Sequence, residues 1–504
     1  MPRRPSHSMF SAFELDPANP EALHRQLYDE LRGAILSRRL PPGSRLPASR
    51  ELAASSSISR NTVLSAYDQL LAEGYILGRP GSGTFVADAI PESFAPERGP
   101  ALSDPPGGTP RRAISRRGEV VRATPFPWRN VPQTAAAFRV GLPALDHLPM
   151  DTWRRLTDRR LSRASVSLLT YSDAQGYPSL REAIASHLAD SRGVRCDASR
   201  VVVTNGSQEG IALCARLLTD PGDAVWMEDP GYFAARAALQ ACEAHLVPVP
   251  VDRDGLDVAV GVGRAPAARM AYVTPSHQNP TGATMSLPRR MALLQWARDA
   301  DSWIIEDDNA SEYRYRGRPL AALQGIDTNS RVIYAGSFSK VLFSSLRIGY
   351  VVVPEDLVET FVLGHQVNTR GNSSLQQAVL ADFMTEGHFA RHVRRTRTLY
   401  AARLEALERS VDRHAGDVLQ LEPTEGGLNQ LVWLPPGMDD LAISDAAARE
   451  GVIAVPLSHS TVLPPARGGL VLGFAGVDEH EIETGVVRIA AIVREFQRKG
   501  DAPA

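Results

Sequence analysis

The chain has 504 residues, a hydrophobic content of 43% and a formal net charge of −2. This composition excludes a disordered chain, and the length predicts two or three domains. No apolar run reaches the ~18 residues of a membrane span, and the three cysteines have neither metal spacing nor a disulfide framework. We therefore expect a cytoplasmic protein with no membrane partner and no bound metal.

The first segment, residues 17–88, has the pattern of three helices followed by a hairpin. Apolar residues recur every four positions from Leu23 to Ile35, which predicts the first helix. Two shorter helices follow, with Ser49 and Ser59 as their predicted N-caps. The turn "RPGSG" then joins two short strands. This order predicts a winged helix-turn-helix, whose second short helix enters the major groove of DNA.

The charge pattern of this segment supports DNA binding only locally. Residues 1–90 carry ten arginines against nine acidic residues, which is almost neutral. Residues 38–60 carry five arginines against Glu51 alone, as phosphate contacts require. From charge alone, a solvated helical surface and a DNA-binding edge are equally good interpretations.

Residues 89–130 have the composition of a linker. They contain eight prolines, including those of "DPPGGTP", and show no sustained apolar period. The linker separates the short first domain from residues 131–504, which are numerous enough for a large α/β core.

A motif of about forty residues spans the predicted helix-turn-helix and wing. It includes "SREL", the helix start "RNTV" and the wing "GSGTFV". The stretch resembles the DNA-binding domain of the GntR family of bacterial regulators. The resemblance implies that double-stranded DNA is contacted by residues of the helices and wing: Arg50, Arg60, Asn61, Thr62, Arg79 and Gly83.

In the large segment, apolar runs alternate with amphipathic helices and adjoin polar clusters. The runs are "MAYVT", "WIIE", "RVIYA" and "RIGYVVV". The alternation predicts an α/β fold with a largely parallel sheet. Ligands of such sheets bind at the carboxyl ends of the strands, so the clusters are expected to converge on one pocket.

The lysines of the chain are unusually few. The sequence has 53 arginines and only two lysines, Lys340 in "GSFSK" and Lys499 near the C-terminus. A lysine at a strand end can form a Schiff base with an aldehyde, whereas a guanidinium cannot. Lys340 therefore indicates a site for pyridoxal phosphate (PLP).

PLP needs further groups that the sequence can supply. Asp307 can pair with the pyridine nitrogen, and Asn279 in "HQNPTG" can donate to the ring hydroxyl. The loop "TNGSQEG", 204–210, opens a helix whose N–H groups suit a phosphate, with Ser337, Ser339 and Arg347 closing the cradle. Each motif alone is more often an ordinary turn or cap, but the four together and in this order favour a cofactor site.

The segment from Val140 to the C-terminus resembles the fold-type I aminotransferases of class I/II. The resemblance includes "YSDAQGYPSLREAIA", "EDPGY", "PSHQNPTG", "GSFSK" and "SLRIGY". It implies a mostly parallel sheet with helices on both faces and a PLP Schiff base on Lys340. It implies further cofactor contacts from Asp307, Asn279, Tyr232, Gly206, Ser207, Gln208, Ser337, Ser339 and Arg347, and from Tyr171 of the partner subunit in a homodimer.

Two positions depart from the aminotransferase pattern. Asn309 stands where the pattern has a tyrosine that donates to the ring oxygen; asparagine can hydrogen-bond there but offers no phenol. Val471 stands where an arginine binds the substrate carboxylate, so the bidentate clamp is missing. Arg467 or Arg236 is a candidate replacement.

A GntR-type winged helix joined to an aminotransferase-like domain is the layout of the MocR/GabR subfamily of regulators. The resemblance implies a PLP-dependent transcription regulator that senses PLP or a small amino compound and binds repeated DNA half-sites as a dimer. The alternatives are an active PLP-dependent aminotransferase with a fused DNA-binding domain, and a PLP-binding scaffold that senses nothing. Asn309 and Val471 favour sensing over turnover.

Overall fold

The computed structural model describes residues 15–16, 19–79, 81–88, 113–124, 137–171, 173–317 and 320–500. The chain divides into two compact units, Met1–Arg112 and Ala113–Ala504. Within the described ranges, no helix is both long enough and apolar enough to cross a bilayer.

The first unit has three helices and a two-stranded hairpin, as the sequence predicts. Their bounds are α1 Leu23–Leu36, α2 Ser49–Ser55, α3 Arg60–Ala72, β1 Ile76–Arg79 and β2 Gly83–Val86. Side chains of all three helices form its core, with Leu27, Leu52, Val63 and Leu70 fully buried. Because α1 and α2 pack against α3, the exposed end of α3 is held on a small rigid body.

The two predicted N-caps have different outcomes. The Ser59 side chain accepts a hydrogen bond from the Thr62 N–H at 3.1 Å, which confirms Ser59 as the N-cap of α3. The prediction for Ser49 is wrong, because Ser49 is already helical and Ala48 is the cap residue. The Glu51 carboxylate, in the first turn, accepts from the Ala48 N–H at 3.4 Å instead.

The wing is braced by the segment that precedes α2. The N–H of Leu46 donates to the Thr84 carbonyl at 2.8 Å, and the N–H of Val86 donates to the Ser44 carbonyl at 2.9 Å. Gly83 has φ +108°, and a Cβ there would lie 3.0 Å from Arg45 Nε, so glycine lets the wing tip turn beside that arginine.

A helix lies inside the range predicted to be linker. It is α4, Arg116–Ala123, and it belongs to the second unit. Arg116 forms an ion pair with Glu243, and Arg117 lies 3.3 Å from the same carboxylate. The apolar periodicity of an eight-residue helix is a weak signal, and the surrounding prolines are a strong signal for a linker. The composition therefore predicts a linker for these residues.

The second unit is built on a central sheet. Its strands are β3 Val201–Thr204, β4 Ala224–Asp229, β5 His245–Asp252, β6 Gly255–Leu256, β7 Met270–Val273, β8 Trp303–Asp307, β9 Val332–Ser337 and β10 Gly349–Val352. Among the described residues they lie in the order β3-β10-β9-β8-β7-β4-β5-β6. The pairs among β5, β4, β7, β8 and β9 are parallel, which confirms the predicted fold class.

Strand β10 runs against both of its neighbours. Gly349, its first residue, pairs with Ser337 of β9 and with Thr204 of β3, which are the last residues of those strands. The residues just before β10 therefore lie at the same sheet edge as the residues just after the parallel strands. This reversal explains how Arg347, which precedes its strand, joins the polar clusters that follow theirs.

Helices surround this sheet, and a smaller sheet completes the unit. The helices are α5 Met150–Ser162, α6 Val166–Leu169, α7 Pro178–Arg192, α8 Ser207–Leu218, α9 Phe233–Ala241, α10 Val258–Arg264, α11 Leu287–Asp299, α12 Leu323–Ile326, α13 Val358–Thr369, α14 Ser374–Thr385, α15 His388–His414, α16 Asp440–Arg449 and α17 Glu479–Gly500. The smaller antiparallel sheet contains β11 Gln420–Leu421, β12 Asn429–Trp433, β13 Val455–Pro456 and β14 Gly469–Gly473, in the order β11-β12-β14-β13.

The central strands are covered on both faces. Successive residues of one strand enter different apolar clusters: Ile305 packs with Val351 and Ile211, whereas Ile304 packs with Trp296. Such two-sided burial is typical of a parallel sheet between helical layers. It leaves the strand ends as the place where polar side chains can meet.

Candidate functional site

Lys340 lies just beyond the carboxyl end of β9. Its amine is half-buried and is 3.4 Å from the Gly141 carbonyl oxygen. Burial lowers the pKa of the Lys340 amine, and the Asp307 carboxylate opposes that shift. A lowered pKa increases the neutral fraction of the amine, which is the form that attacks a carbonyl carbon.

Gly141 leaves space for this amine. Its φ is +70°, and a Cβ built there would lie 2.2 Å from Lys340 Nζ. A side chain at position 141 would therefore occupy the position of the amine, and only glycine leaves the space while adopting that backbone conformation without strain.

Asp307 ends β8 and faces the same region. Tyr272 of β7 donates its hydroxyl to Asp307 Oδ2 at 2.6 Å, and both side chains are buried. Burial raises the pKa of Asp307 to about 6, while the Tyr272 hydrogen bond and the charge of Lys340 hold it down. A buried carboxylate with one fixed donor can accept a second hydrogen bond from a protonated ring nitrogen.

The predicted phosphate loop lies at the amino end of α8. Gly206 precedes the helix with φ +88°, and a Cβ there would lie 3.4 Å from the Arg347 guanidinium. The first N–H groups of a helix have no partner within the helix, so the backbone at Ser207 and Gln208 can bind an anion. The Gln208 side chain is directed elsewhere, since its amide donates to the Ala234 carbonyl at 2.8 Å.

The serines of "GSFSK" lie beside this loop. Ser337 pairs with Gly349 across the sheet, and its hydroxyl accepts a hydrogen bond from the Ser339 N–H at 3.2 Å. Arg347 is exposed, with φ +51°. An exposed guanidinium beside a helix N-terminus fits an oxyanion.

Lys340 lines a cavity of about 290 Å³. Tyr232 and Asn279, two of the predicted cofactor contacts, line it. Burial raises the pKa of the Tyr232 phenol, and the charge of Asp307 raises it further. The phenol therefore stays neutral. The cavity thus brings together side chains from the ends of β4, β7 and β9.

The position of the missing carboxylate clamp is apolar. Val471 lines the cavity together with Val455. Val471 is only 3% exposed and packs with Leu431 and Leu457. This wall offers dispersion contacts and no donor for a carboxylate.

Neither arginine expected as a replacement faces the cavity. The buried Arg236 donates to the carbonyls of His459, at 2.7 Å, and Thr461. Arg467 donates to the Leu434 carbonyl at 2.5 Å and to Gln420 at 2.8 Å. Their donors are therefore engaged in holding loops, which sequence reasoning could not determine.

Asn309 is half-buried and lies outside the lining of the Lys340 cavity. Its neighbour Asp308 is part of the scaffold: it pairs with the buried Arg192 at 2.9 Å and accepts from Tyr334 and Ser311. Asn309 stays a predicted contact.

Tyr171 is strongly exposed. Its side chain is 80% exposed, with the Arg370 guanidinium 5.6 Å from the ring centroid. Tyr171 does not line the cavity of its own chain. The prediction that it serves the cavity of a partner subunit needs such an outward position.

The predicted DNA-binding residues lie at the start of α3 and on the wing. Arg50, Arg60 and Asn61 are exposed, and Arg60 Nε lies 3.4 Å from the Ser49 hydroxyl. The Thr62 hydroxyl is 2.8 Å from that of Ser59, so part of its hydrogen-bonding capacity serves the cap.

On the wing, Arg79 and Gly83 are both exposed and are paired across β1 and β2. The Arg79 guanidinium lies 4.9 Å from the Phe85 ring centroid. That contact holds the cation at the wing while leaving it open to solvent.

Sequence reasoning missed several residues around Lys340, and four of them bear directly on its polar surroundings. They are Tyr272, Gly141, Asn429 and Arg139. A tyrosine inside the apolar run "MAYVT" is a usable signal for Tyr272, because a buried hydroxyl needs a partner. The other three come from segments distant in sequence and carry no local signal.

Two family profiles match the chain. Residues 138–489 match the aminotransferase class I and II family, and residues 23–86 match the bacterial regulatory proteins of the gntR family. The first match covers most of the chain and contains the residues of the Lys340 cavity. The second covers the three helices and the wing of the first unit.

Two transcription regulators match this chain over nearly their whole length. The probable rhizopine catabolism regulatory protein MocR of Rhizobium meliloti is 40% identical over 95% of this chain and 96% of its own length. The uncharacterized HTH-type transcriptional regulator YdeL of Bacillus subtilis is 34% identical over 93% of this chain and 96% of its own.

Among solved structures, LysN, an α-aminoadipate aminotransferase of Thermus thermophilus, is similar to the second unit. It has a TM-score of 0.71 and 26% identity over 77% of this chain and 98% of its own, and it is complexed with N-(5'-phosphopyridoxyl)-L-leucine. The whole-length relatives are regulators, so a regulator is favoured over an enzyme. The chain belongs to the MocR/GabR subfamily of GntR-family transcription regulators, with an aminotransferase class I/II domain behind its winged helix-turn-helix.

Proposed function

We propose that this regulator binds PLP through Lys340 and senses a small amino compound, or PLP itself, at the same cavity. The observation that carries the proposal is the Lys340 amine, half-buried near Asp307, with a glycine at 141 leaving it space. Bound there, PLP supplies an aldehyde for amines and an electron-withdrawing ring.

The residues present fit this cofactor. Asp307, already fixed by Tyr272, would accept a hydrogen bond from the ring nitrogen, and Asn279 would donate to the ring oxygen. Tyr232 would pack on the ring. The phosphate would lie against the backbone at the start of α8, at Gly206, Ser207 and Gln208. Ser337, Ser339 and Arg347 would surround it with two hydroxyls and a guanidinium.

We propose a homodimer as the working form. Apolar side chains near Tyr171 are strongly exposed: Val166 by 77%, Leu169 by 69% and, on α13, Val367 by 86%. Large exposed apolar groups of this kind favour burial against a second copy. A dimer would present two winged helices to repeated half-sites on promoter DNA. A regulator that binds promoters would act in the cytoplasm.

We propose sensing rather than turnover as the role of the cavity. Val471 gives an ordinary α-amino acid no clamp for its carboxylate, and Asn309 supplies no phenol to the ring oxygen. An active aminotransferase is the second candidate, because the polar groups near Lys340 suit proton transfer. In that case an amino donor would convert the bound cofactor to its amine form once per site, and turnover would require an oxo-acid acceptor to restore the aldehyde.

The experiment that separates the two candidates is a titration of the purified protein with PLP and then with common α-amino acids. We expect a cofactor absorbance band that these amino acids leave nearly unchanged, with DNA affinity also unchanged. Conversion of the band to that of the amine form would establish an enzyme. A protein that takes up no PLP at all would contradict the cofactor assignment.

A further inference from the structure

Arg139 is a second cation of the cavity that Lys340 lines. It lines the cavity and is half-buried. Its guanidinium forms no hydrogen bond or ion pair with any residue in the part of the chain that the structure describes. Arg236 and Arg467, by contrast, have donors engaged by carbonyl oxygens.

The backbone around Arg139 is fixed on both sides. The Gly473 N–H donates to the Phe138 carbonyl at 2.9 Å, and the Gly141 N–H donates to Asn429 Oδ1 at 2.7 Å. Phe138 itself is fully buried. The base of the arginine is thus held in place, while its charged end is left for a ligand.

The charges of the cavity favour an anion. Arg139 and Lys340 are the cations among its described lining residues, and that lining contains no aspartate or glutamate. A half-buried guanidinium without a carboxylate partner retains its capacity for a bidentate, charge-assisted hydrogen bond.

Two apolar residues of the lining limit where such an anion can lie. Val471 and Val455 present apolar surface, and an oxyanion placed against them would lose water without gaining a donor. The acidic end of a ligand must therefore lie toward Arg139, and its carbon skeleton toward the two valines. A cavity of about 290 Å³ that also holds a cofactor further requires a compact ligand.

We propose that Arg139 is the specificity-determining residue for the effector, and that the effector is a compact amino compound with one oxyanion of the carboxylate type. The oxyanion binds the Arg139 guanidinium, and the amine lies toward Lys340. This assignment rests on the proposed function, because the amine is expected to meet the cofactor held by Lys340.

The test compares ligand pairs that differ only in the acid group. The probes are straight-chain amino acids of three to six carbons with terminal amino and carboxyl groups, each paired with the n-alkylamine of the same length. Dissociation constants are measured by calorimetry on the full-length, PLP-loaded protein. We expect the best amino acid to bind about 10- to 100-fold more tightly than its amine, equivalent to ~1.4–2.8 kcal/mol.

The variant Arg139→Gln should remove this preference, leaving the amine's dissociation constant within about twofold of the wild type. Its cofactor absorbance should be unchanged. Arg139→Lys, which keeps the charge but not the fork, should recover part of the preference. Arg467→Gln is the matched control outside the cavity and should keep the preference in full.

The outcomes separate this assignment from the proposed function. Equal binding of acids and amines by the wild type, or a preference that survives Arg139→Gln, overturns the role of Arg139 even with the cofactor band intact. Loss of cofactor affinity in Arg139→Gln, without a selective loss of the acids, also overturns it, because Arg139 would then hold the cofactor. A wild-type protein without a cofactor band contradicts the proposed function instead.

Discussion

The winged helix and the Lys340 cavity present their functional groups in opposite ways. In the first unit, Arg50, Arg60 and Asn61 lie exposed at the surface. In the second unit, Asp307 and Tyr272 are buried and bonded to each other. The winged helix exposes side chains that can contact a partner from solvent. Near Lys340, by contrast, the two buried side chains are already hydrogen-bonded to each other.

This difference determines what each region can do. Exposed cations contribute mainly electrostatic attraction, which salt screens and which many DNA sequences share. Buried groups change each other's proton affinity, as burial and Lys340 do for Asp307. A change in the cavity is therefore expected to alter chemistry and stability, and a change on the winged helix to alter DNA affinity alone.

The largest expected effect follows from Lys340→Ala. Without the amine no covalent attachment of PLP is possible, so the visible absorbance of the protein and its response to effector should be lost completely. Lys340→Arg should behave in the same way, because a guanidinium stays protonated. Absorbance spectroscopy and a DNA-binding assay with and without effector measure both properties.

Basal DNA binding and folding should persist in both variants. Borohydride reduction of the wild type followed by peptide mass spectrometry should place the cofactor mass on Lys340. Cofactor mass found on Lys499, or an intact absorbance band in Lys340→Ala, would refute the attachment site.

The next effect concerns the pH dependence of stability in the cofactor-free protein. The pKa of Asp307 is raised to about 6 by burial. The folded state therefore binds more protons than the unfolded state between about pH 4 and 6, and stability decreases as pH rises through that window. The loss is on the order of 3 kcal/mol.

Asp307→Asn should lack this component of the profile. Thermal unfolding of the wild type and this variant, measured from pH 4 to 7, should give free energies of unfolding whose difference changes by about 3 kcal/mol across that range. Tyr272→Phe removes the donor that lowers the pKa of Asp307. The stability of this variant should therefore decrease more than that of the wild type as the pH rises. Parallel curves for all three proteins would show that the carboxyl titrates normally.

The smallest effect is expected on the winged helix. Arg60→Ala should weaken specific DNA binding by ~1–3 kcal/mol if Arg60 contacts a base edge, with specificity relaxed at that position. It should weaken all sequences alike if Arg60 contacts only phosphate. The cofactor absorbance should stay the same in either case.

Arg154→Ala, which removes a 73% exposed arginine side chain of the second unit, is the matched control and should leave DNA binding unchanged. Fluorescence anisotropy with a specific and a scrambled duplex measures both variants. Unaltered affinity of Arg60→Ala for both duplexes would contradict the assignment of α3 as the recognition helix.

The sequence predicted those features that depend on local pattern. The helix period from Leu23 to Ile35, the Ser59 cap and the four apolar runs that became β7 to β10 are all readable within a few residues. The convergence of their polar ends was also predictable, because the carboxyl ends of parallel strands share one edge.

Features that depend on long-range contact could not be predicted. Gly141 approaches Lys340 from 199 positions away. Among the described residues Arg139 has no partner, whereas Arg236 and Arg467 have carbonyl partners, and both facts are properties of the folded chain. Helix α4 was hidden by its proline-rich surroundings.

The close approach of Gly141 to Lys340 has an evolutionary consequence. Because a β-carbon at 141 would lie 2.2 Å from the amine, the glycine and the lysine should be inherited as a pair. Lineages that keep the lysine should tolerate no other residue at 141. In lineages that have lost the lysine, the steric part of this constraint no longer applies. Substitutions at position 141 would then indicate proteins that no longer bind the cofactor.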